Sequence, residues 1–149
     1  MAHTYTVDAS VWMNAFNPYE QGHRDSNRLL ARLQAIIVPT LLLPEVAAAV
    51  RRGREDGDLA LEFAETLHRL PHLVWVPLDD PLAHRAARAA AQHQLRESDA
   101  VYVAVAQRFG SGLITRDRQQ RERVEGILEV WHPAEFLEQA DKTGGFSLP

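Results

Sequence analysis

Thr4-Tyr5-Thr6-Val7-Asp8-Ala9-Ser10 joins a short β-forming run to an acid, then to a hydroxyl residue that opens an apolar segment. Thr4 to Asp8 reads as a strand, because β-branched and aromatic side chains suit a pleated, buried surface. Ser10 reads as the cap of a short helix through Phe16, which Asn17-Pro18 breaks. The same succession recurs downstream. Ile36 to Val38 is a short apolar strand ended by Pro39, with Thr40 placed to cap a helix to about Arg52. Leu113 to Thr115 is another strand, followed after one residue by Asp117.

The remaining segments fill the pattern. His23 to Gln34 is amphipathic, with Leu29, Leu30 and Leu33 on one face and Arg24, Arg28 and Arg32 on another. Gly57 precedes a helix over about Leu59 to Leu70, and Leu73 to Leu78 reads as a strand. Asp79 or Asp80 starts a helix with Pro81 in its first turn. Ser98 is placed to cap the strongly apolar helix DAVYVAVAQRF, which Gly110 stops. Gln119 to Val124 is a polar helix, Ile127 to Trp131 a last strand, and Pro133 begins a final helix. Strands separated by helices predict an α/β fold: three layers, α/β/α, around a central, mainly parallel sheet of about five strands. Ligands of such sheets bind beyond the carboxyl ends of the strands. Residues 1–140 read as one domain, and 141–149 (DKTGGFSLP) as a flexible tail.

Composition narrows the chemistry. The 149 residues suffice for one domain with a real core, and 46% hydrophobic with 24% charged residues is ordinary for a globular protein. With no cysteine, disulfides, thiolate zinc sites and a cysteine nucleophile are excluded. No apolar run approaches the roughly 20 residues of a membrane span, and no secretory signal is visible, so a cytoplasmic location is expected. The net charge of −4 is unusual for a nucleic-acid binder. A bound cation would cancel part of it. The basic residues are almost all arginine, which grips phosphates with paired hydrogen bonds; the one lysine is Lys142.

Four acids occupy costly or suggestive places. Asp8 and Asp117 follow two strands and face one crevice if those strands are neighbours. Glu45 lies in LLLPEVAAAV with no basic residue within a helical turn. An ionised carboxylate buried there needs a partner from elsewhere, unless it falls on the exposed stripe of the helix. Asp99 opens the apolar helix, where the helix dipole alone favours an acid, and Glu97 is a rival two residues earlier. Together the four make an all-oxygen donor set without cysteine or nearby histidine, suited to Mg²⁺ or Mn²⁺.

On VDASVW (Asp8, Ser10), LLLPEVAAAV (Glu45), SDAVYVAVAQ (Asp99) and LITRD (Thr115, Asp117), the chain resembles PIN domains, and among them the VapC-type toxin ribonucleases. The resemblance covers nearly the whole chain and rests on the order and spacing of these motifs. It implies a Mg²⁺ or Mn²⁺ site at Asp8, Glu45, Asp99 and Asp117, hydrolysis of RNA phosphodiester bonds, a homodimer, and a cognate antitoxin that occludes the site. Ser10 and Thr115 match hydroxyl positions that support the acids. Arg116 and Arg118 flank Asp117 and are candidate phosphate contacts. Trp12 and Tyr102 are candidates for base stacking, although the helical spacing of Tyr102 also fits the core. His23, His84 and His93 lie in amphipathic helices and read as surface or boundary residues, not ligands. Some family members carry a further acid where this chain has Gln119 and Gln120, which leaves a second ion open.

Two other phosphoryl enzymes on similar folds fit less well. A haloacid-dehalogenase-like phosphatase needs a second Asp two residues after the first, and Ser10 stands there. A response-regulator receiver needs a lysine late in the sheet, and the only lysine lies near the C-terminus. A catalytically inactive PIN module, binding RNA or protein as a regulator, is the alternative from another class.

Overall fold

The computed structural model describes residues 2–143. The described elements are β1 (Tyr5–Val7), α1 (Ala9–Phe16), α2 (His23–Arg32), β2 (Ile36–Pro39), α3 (Leu42–Arg54), α4 (Gly57–His68), β3 (Leu73–Val76), α5 (Asp80–His93), α6 (Glu97–Phe109), β4 (Gly112–Ile114), α7 (Arg118–Val124), β5 (Val130–Trp131) and α8 (Pro133–Lys142). The strands form one sheet in the order β3-β2-β1-β4-β5. Every pairing in it is parallel.

This order has one reversal. The chain steps outward from β1 to β2 and β3, then returns to β4 on the other side of β1. Right-handed crossovers put the helices of the outward and return steps on opposite faces. On one face α6 lies across β2, β1 and β4, with α5 beside it; on the other α1 and α2 pack together with α8. The Phe136 ring of α8 meets the Tyr5 ring of β1 edge-on at 4.9 Å. The layered α/β architecture expected from the sequence is therefore the one observed.

Burial explains the short strands. All residues of β1, β2 and β4 are buried, so these strands read as continuous apolar runs, with Thr6 the polar exception. The Thr6 hydroxyl is satisfied at 2.7 Å by that of Ser111. In α6 the seven residues from Ala100 to Ala106 are all buried, as befits a helix enclosed on every side. At Gly112 an added Cβ would sit 2.8 Å from the Tyr5 ring, so the close approach of β4 to β1 requires glycine there.

Three expected caps are not used. Asp8, not Ser10, is the N-cap of α1, its side chain accepting from the Ser10 backbone. Neither α3 nor α6 has a side-chain cap: α3 starts at Leu42 after Leu41, and α6 starts at Glu97 after Arg96. Apolar burial of Leu42 and Val46, and of the Ala100–Ala106 stretch, holds these helices where caps were expected at Thr40 and Ser98. Helix α8 continues through Asp141 and Lys142, which the sequence reading placed in the tail, and Arg32 holds Asp141 at 2.9 Å. Residues 144–149 of that tail lie outside the described residues.

Candidate active site

Parallel pairing of β1 with β4 brings Asp8 and Asp117 to the same end of the sheet, beside the reversal in strand order. The Asp8 amide donates to the Ile114 carbonyl at 3.1 Å, which ties the end of β1 to the end of β4. Glu45 enters from the first turn of α3, just beyond β2, and Asp99 from the first turn of α6. These four acids line one cleft of about 250 Å³ with Ala9, Ser10, Arg96, Ser98 and Tyr102.

Each acid has its own support. Asp8 is 4% exposed. Its Oδ1 accepts from the Ser10 amide at 3.1 Å and the Ser10 hydroxyl at 2.5 Å. The Ser10 hydroxyl in turn accepts from the Arg116 amide at 3.0 Å, so β4 fixes the group that fixes Asp8. Burial pushes the Asp8 carboxyl up to about 6; the Ser10 and Thr115 hydroxyls oppose that rise, and neighbouring Asp99 adds to it. Thr115 accepts from the Asp117 amide at 3.1 Å and donates to Gln120 Oε1 at 3.0 Å. Its single hydroxyl proton serves either Gln120 or Asp8 at one time. Gln120 is buried and its Nε2 has no partner among the described residues. A half-turn of that amide would let Nε2 donate to Thr115 and release the Thr115 proton to Asp8. Asp117 is the N-cap of α7, accepting from the Gln120 amide at 3.1 Å.

Glu45 is half-buried, and its partner is the Tyr102 hydroxyl, which donates to Oε1 at 2.7 Å. Burial raises the Glu45 carboxyl above its ordinary range, the Tyr102 bond lowers it, and Asp99 raises it again. Burial and the facing Glu45 charge hold the Tyr102 hydroxyl well above its usual range, so it stays protonated as a donor. Tyr102→Phe should therefore raise the Glu45 pKa further and cost roughly 1–2 kcal/mol of stability. Carboxyl ¹³C titration measures the first effect and urea denaturation the second; an unchanged or lowered Glu45 pKa would contradict the assignment.

The Asp99 carboxyl is raised chiefly by burial, against the pull of Arg96. Glu97 is exposed and outside the cleft, and acts on Asp99 only through its charge. The donor set is four carboxylates, all oxygen, with three of them pushed toward their protonated forms. That chemistry fits a hard divalent cation, which would let them coexist ionised. Among the described residues, no three acidic or histidine side chains surround a common point as they stand. Instead the carboxylates are turned to Ser10, Tyr102 and Arg96.

Several expected contacts fall elsewhere. Arg116 places its guanidinium on Glu20 at 2.6 Å and on the Gln21 carbonyl at 3.0 Å, because its backbone faces Ser10 and its side chain leaves on the other side. Arg118 pairs along its own helix with Glu122 at 3.1 Å. Neither lines the cleft. Trp12 is 2% exposed and donates its indole N–H to the Val7 carbonyl at 3.2 Å, so it does not offer a face to a base. Tyr102 is 1% exposed and likewise closed to stacking. His84 is exposed and His23 and His93 are half-buried, none of them in the cleft. The residues missed in the sequence are Arg96, Ser98 and Tyr102 as a donor. Arg96 three residues before Asp99, one turn of helix, was the available signal.

The PIN-domain family profile matches residues 5–125. Among solved structures, VapC20 of Mycobacterium tuberculosis, described as a sarcin-ricin loop cleaving toxin, shares 19% identity and superposes with a TM-score of 0.70, over 83% of this chain and 95% of that one. A toxin-antitoxin complex from Klebsiella pneumoniae gives 20% identity, a TM-score of 0.65 and coverage of 87% and 97%. FitAcB from Neisseria gonorrhoeae gives 18%, 0.68, and 87% and 98%. Comparison with curated protein sequences finds no match. At these identities the likeness is one of fold.

Proposed function

Since the chain belongs to the PIN-domain family, we propose that it is a metal-dependent endoribonuclease, the toxin of a toxin–antitoxin pair. The observation that carries this reading is the convergence of Asp8, Glu45, Asp99 and Asp117 on one cleft at the carboxyl ends of the strands. These four would hold Mg²⁺ or Mn²⁺, which supplies water activation and charge neutralisation at a phosphodiester.

The chain's own residues do the rest. Ser10 keeps Asp8 oriented toward the cleft and is itself held by the Arg116 amide. Tyr102 orients Glu45 from the opposite wall and stays protonated as it does so. Thr115 holds the backbone of Asp117, so β4 delivers that acid in a fixed place. Such supports keep acidic donors in one arrangement, and their loss in comparable sites costs on the order of 10- to 100-fold in metal affinity or activity.

A nuclease assay on a mixed RNA pool tests the proposal. Cleavage should appear with Mg²⁺ or Mn²⁺, stop with EDTA, and fall by at least roughly a thousandfold in Asp117→Asn. Asparagine caps a helix about as well as aspartate, so this variant should keep α7. Cleavage that survives EDTA and the substitution overturns the nuclease reading. No cleavage, together with no metal binding by calorimetry, favours the inactive RNA- or protein-binding module.

The partner rests on the likeness to toxin–antitoxin complexes. An apolar groove between α1 and α4, lined by Phe16, Leu59, Phe63, Leu67 and Leu70, supports a protein partner or a second copy as its occupant. Purification of the tagged chain from its native host, with no small protein retained and no growth arrest on expression, would remove the antitoxin from the proposal. No described helix is long and apolar enough to cross a membrane.

A further inference from the structure

Arg96 is the one cation among the cleft-lining residues. It precedes α6 in extended backbone, with no side-chain capping role. Its Nε lies 3.2 Å from Asp99 Oδ2 and its Nη2 lies 3.4 Å from Asp117 Oδ2. One guanidinium thus joins an acid of α6 to an acid beyond β4. Both bonds are single and long for charged pairs, and the Arg96 side chain is 71% exposed. Two acids are held together by a group that is cheap to move.

We propose that Arg96 is both the resident counter-charge of the acidic cleft and its phosphate anchor. The guanidinium bridges Asp99 and Asp117. A divalent ion held by those acids would take the place of the guanidinium, whose donors would then be available at the exposed rim. A cleft walled by four carboxylates repels a polyanion, so a strand of RNA needs a cation at that rim. Arg116 and Arg118 lie outside the cleft, and Arg96 is the cation that lines it. Its planar fork matches two oxygens of a phosphodiester. This inference rests on the metal-dependent nuclease reading and adds to it the residue that trades one ligand for the other.

The test uses the full chain as wild type, Arg96→Gln, Arg96→Lys and Asp117→Asn. Mn²⁺ affinity is measured by calorimetry. RNA affinity is measured by anisotropy of a fluorescein-labelled oligoribonucleotide pool in Ca²⁺, over a range of salt. Arg96→Gln should bind Mn²⁺ roughly twofold to fivefold more tightly, the size of a displaced, largely exposed ion pair. It should bind RNA less tightly, with a salt slope shallower by about 0.7, the value of one phosphate contact on a single strand. Arg96→Lys, which keeps the charge without the fork, should fall between. Because Arg96 is exposed, these variants should fold as the wild type does, and circular dichroism checks that. Unchanged or weaker Mn²⁺ binding by Arg96→Gln, or an unchanged RNA salt slope, overturns the role of Arg96. Asp117→Asn separates the two readings. If it fails to weaken Mn²⁺ binding, the metal site itself is wrong, whatever Arg96 does.

Discussion

Asp8→Asn should abolish RNA cleavage and, at neutral pH without metal, yield a more stable protein than the wild type. The loss of activity should reach at least about a thousandfold, the rate equivalent of roughly 4 kcal/mol of lost charge stabilisation. The gain in stability follows from the environment of the carboxyl. Burial lifts it from 3.8 to about 6 in the folded protein. Well below pH 3.8 the group is protonated in folded and unfolded chains alike, and its ionisation costs nothing. As the pH rises through about 4 to 6, the unfolded chain releases this proton while the folded one retains it, so stability falls. Above pH 6 the deficit is complete, at about 3 kcal/mol for a shift of two units. Asparagine has no proton to lose, accepts the same Ser10 bonds and caps α1 equally well. Urea denaturation in EDTA should therefore show variant and wild type converging below pH 3.8 and separating toward pH 7. Equal stabilities at pH 7 would mean that the Asp8 carboxylate is not held under that electrostatic load. Retained cleavage would remove it from the proposed active site.

Trp12→Ala should be the most destabilising of the substitutions considered, at about 3–5 kcal/mol out of a total of order 5–15. The indole is 2% exposed and donates to the Val7 carbonyl, one residue before Asp8. Its ring lies 6.3 Å from that of Phe16, which meets Phe63 edge-on at 4.5 Å, so it belongs to a run of rings linking α1 to α4. Thermal unfolding should begin roughly 10 °C lower. Trp12→Phe, which keeps most of the volume and loses the hydrogen bond, should cost only about 1 kcal/mol. Had Trp12 served as a stacking platform, the alanine variant would keep its melting temperature and lose RNA affinity instead. Thermal melts and the anisotropy assay tell these outcomes apart.

The sheet was legible because each of its central strands is a run of apolar residues followed by turn or capping chemistry. Ile36-Ile37-Val38 and Leu113-Ile114-Thr115 needed only their composition to be recognised. Caps were less legible. Thr40 and Ser98 have the right chemistry in the right place, yet α3 and α6 begin without them, because burial of the helix decides its start. The four acids could be picked out one by one, since an acid is conspicuous beside apolar neighbours. Their partners could not. The Tyr102 hydroxyl reaches Glu45 across 57 positions, and Arg96 meets Asp117 across 21. Such pairings depend on strand order, which local pattern does not encode. Helical spacing correctly suggested that Tyr102 is core, and gave no hint that its polar tip serves the cleft. Arg116 illustrates the converse. Its position beside Asp117 suggested a phosphate contact, and the direction of its side chain sent it to Glu20.

The parallel register of β1 with β4 has a consequence for the order in which the molecule comes into being. The contact that steadies Asp8, from the Arg116 amide to Ser10, spans 106 positions of the chain. A topology of this kind has high contact order, and its long-range pairings form late because a large loop must close first. During synthesis the first strand leaves the ribosome with its acid in place, but the segment that completes the crevice follows only about a hundred residues later. The nascent polypeptide therefore carries Asp8, Glu45 and Asp99 as scattered acids. The crevice closes only once translation has passed Asp117, so its acids stay apart until that segment has been made.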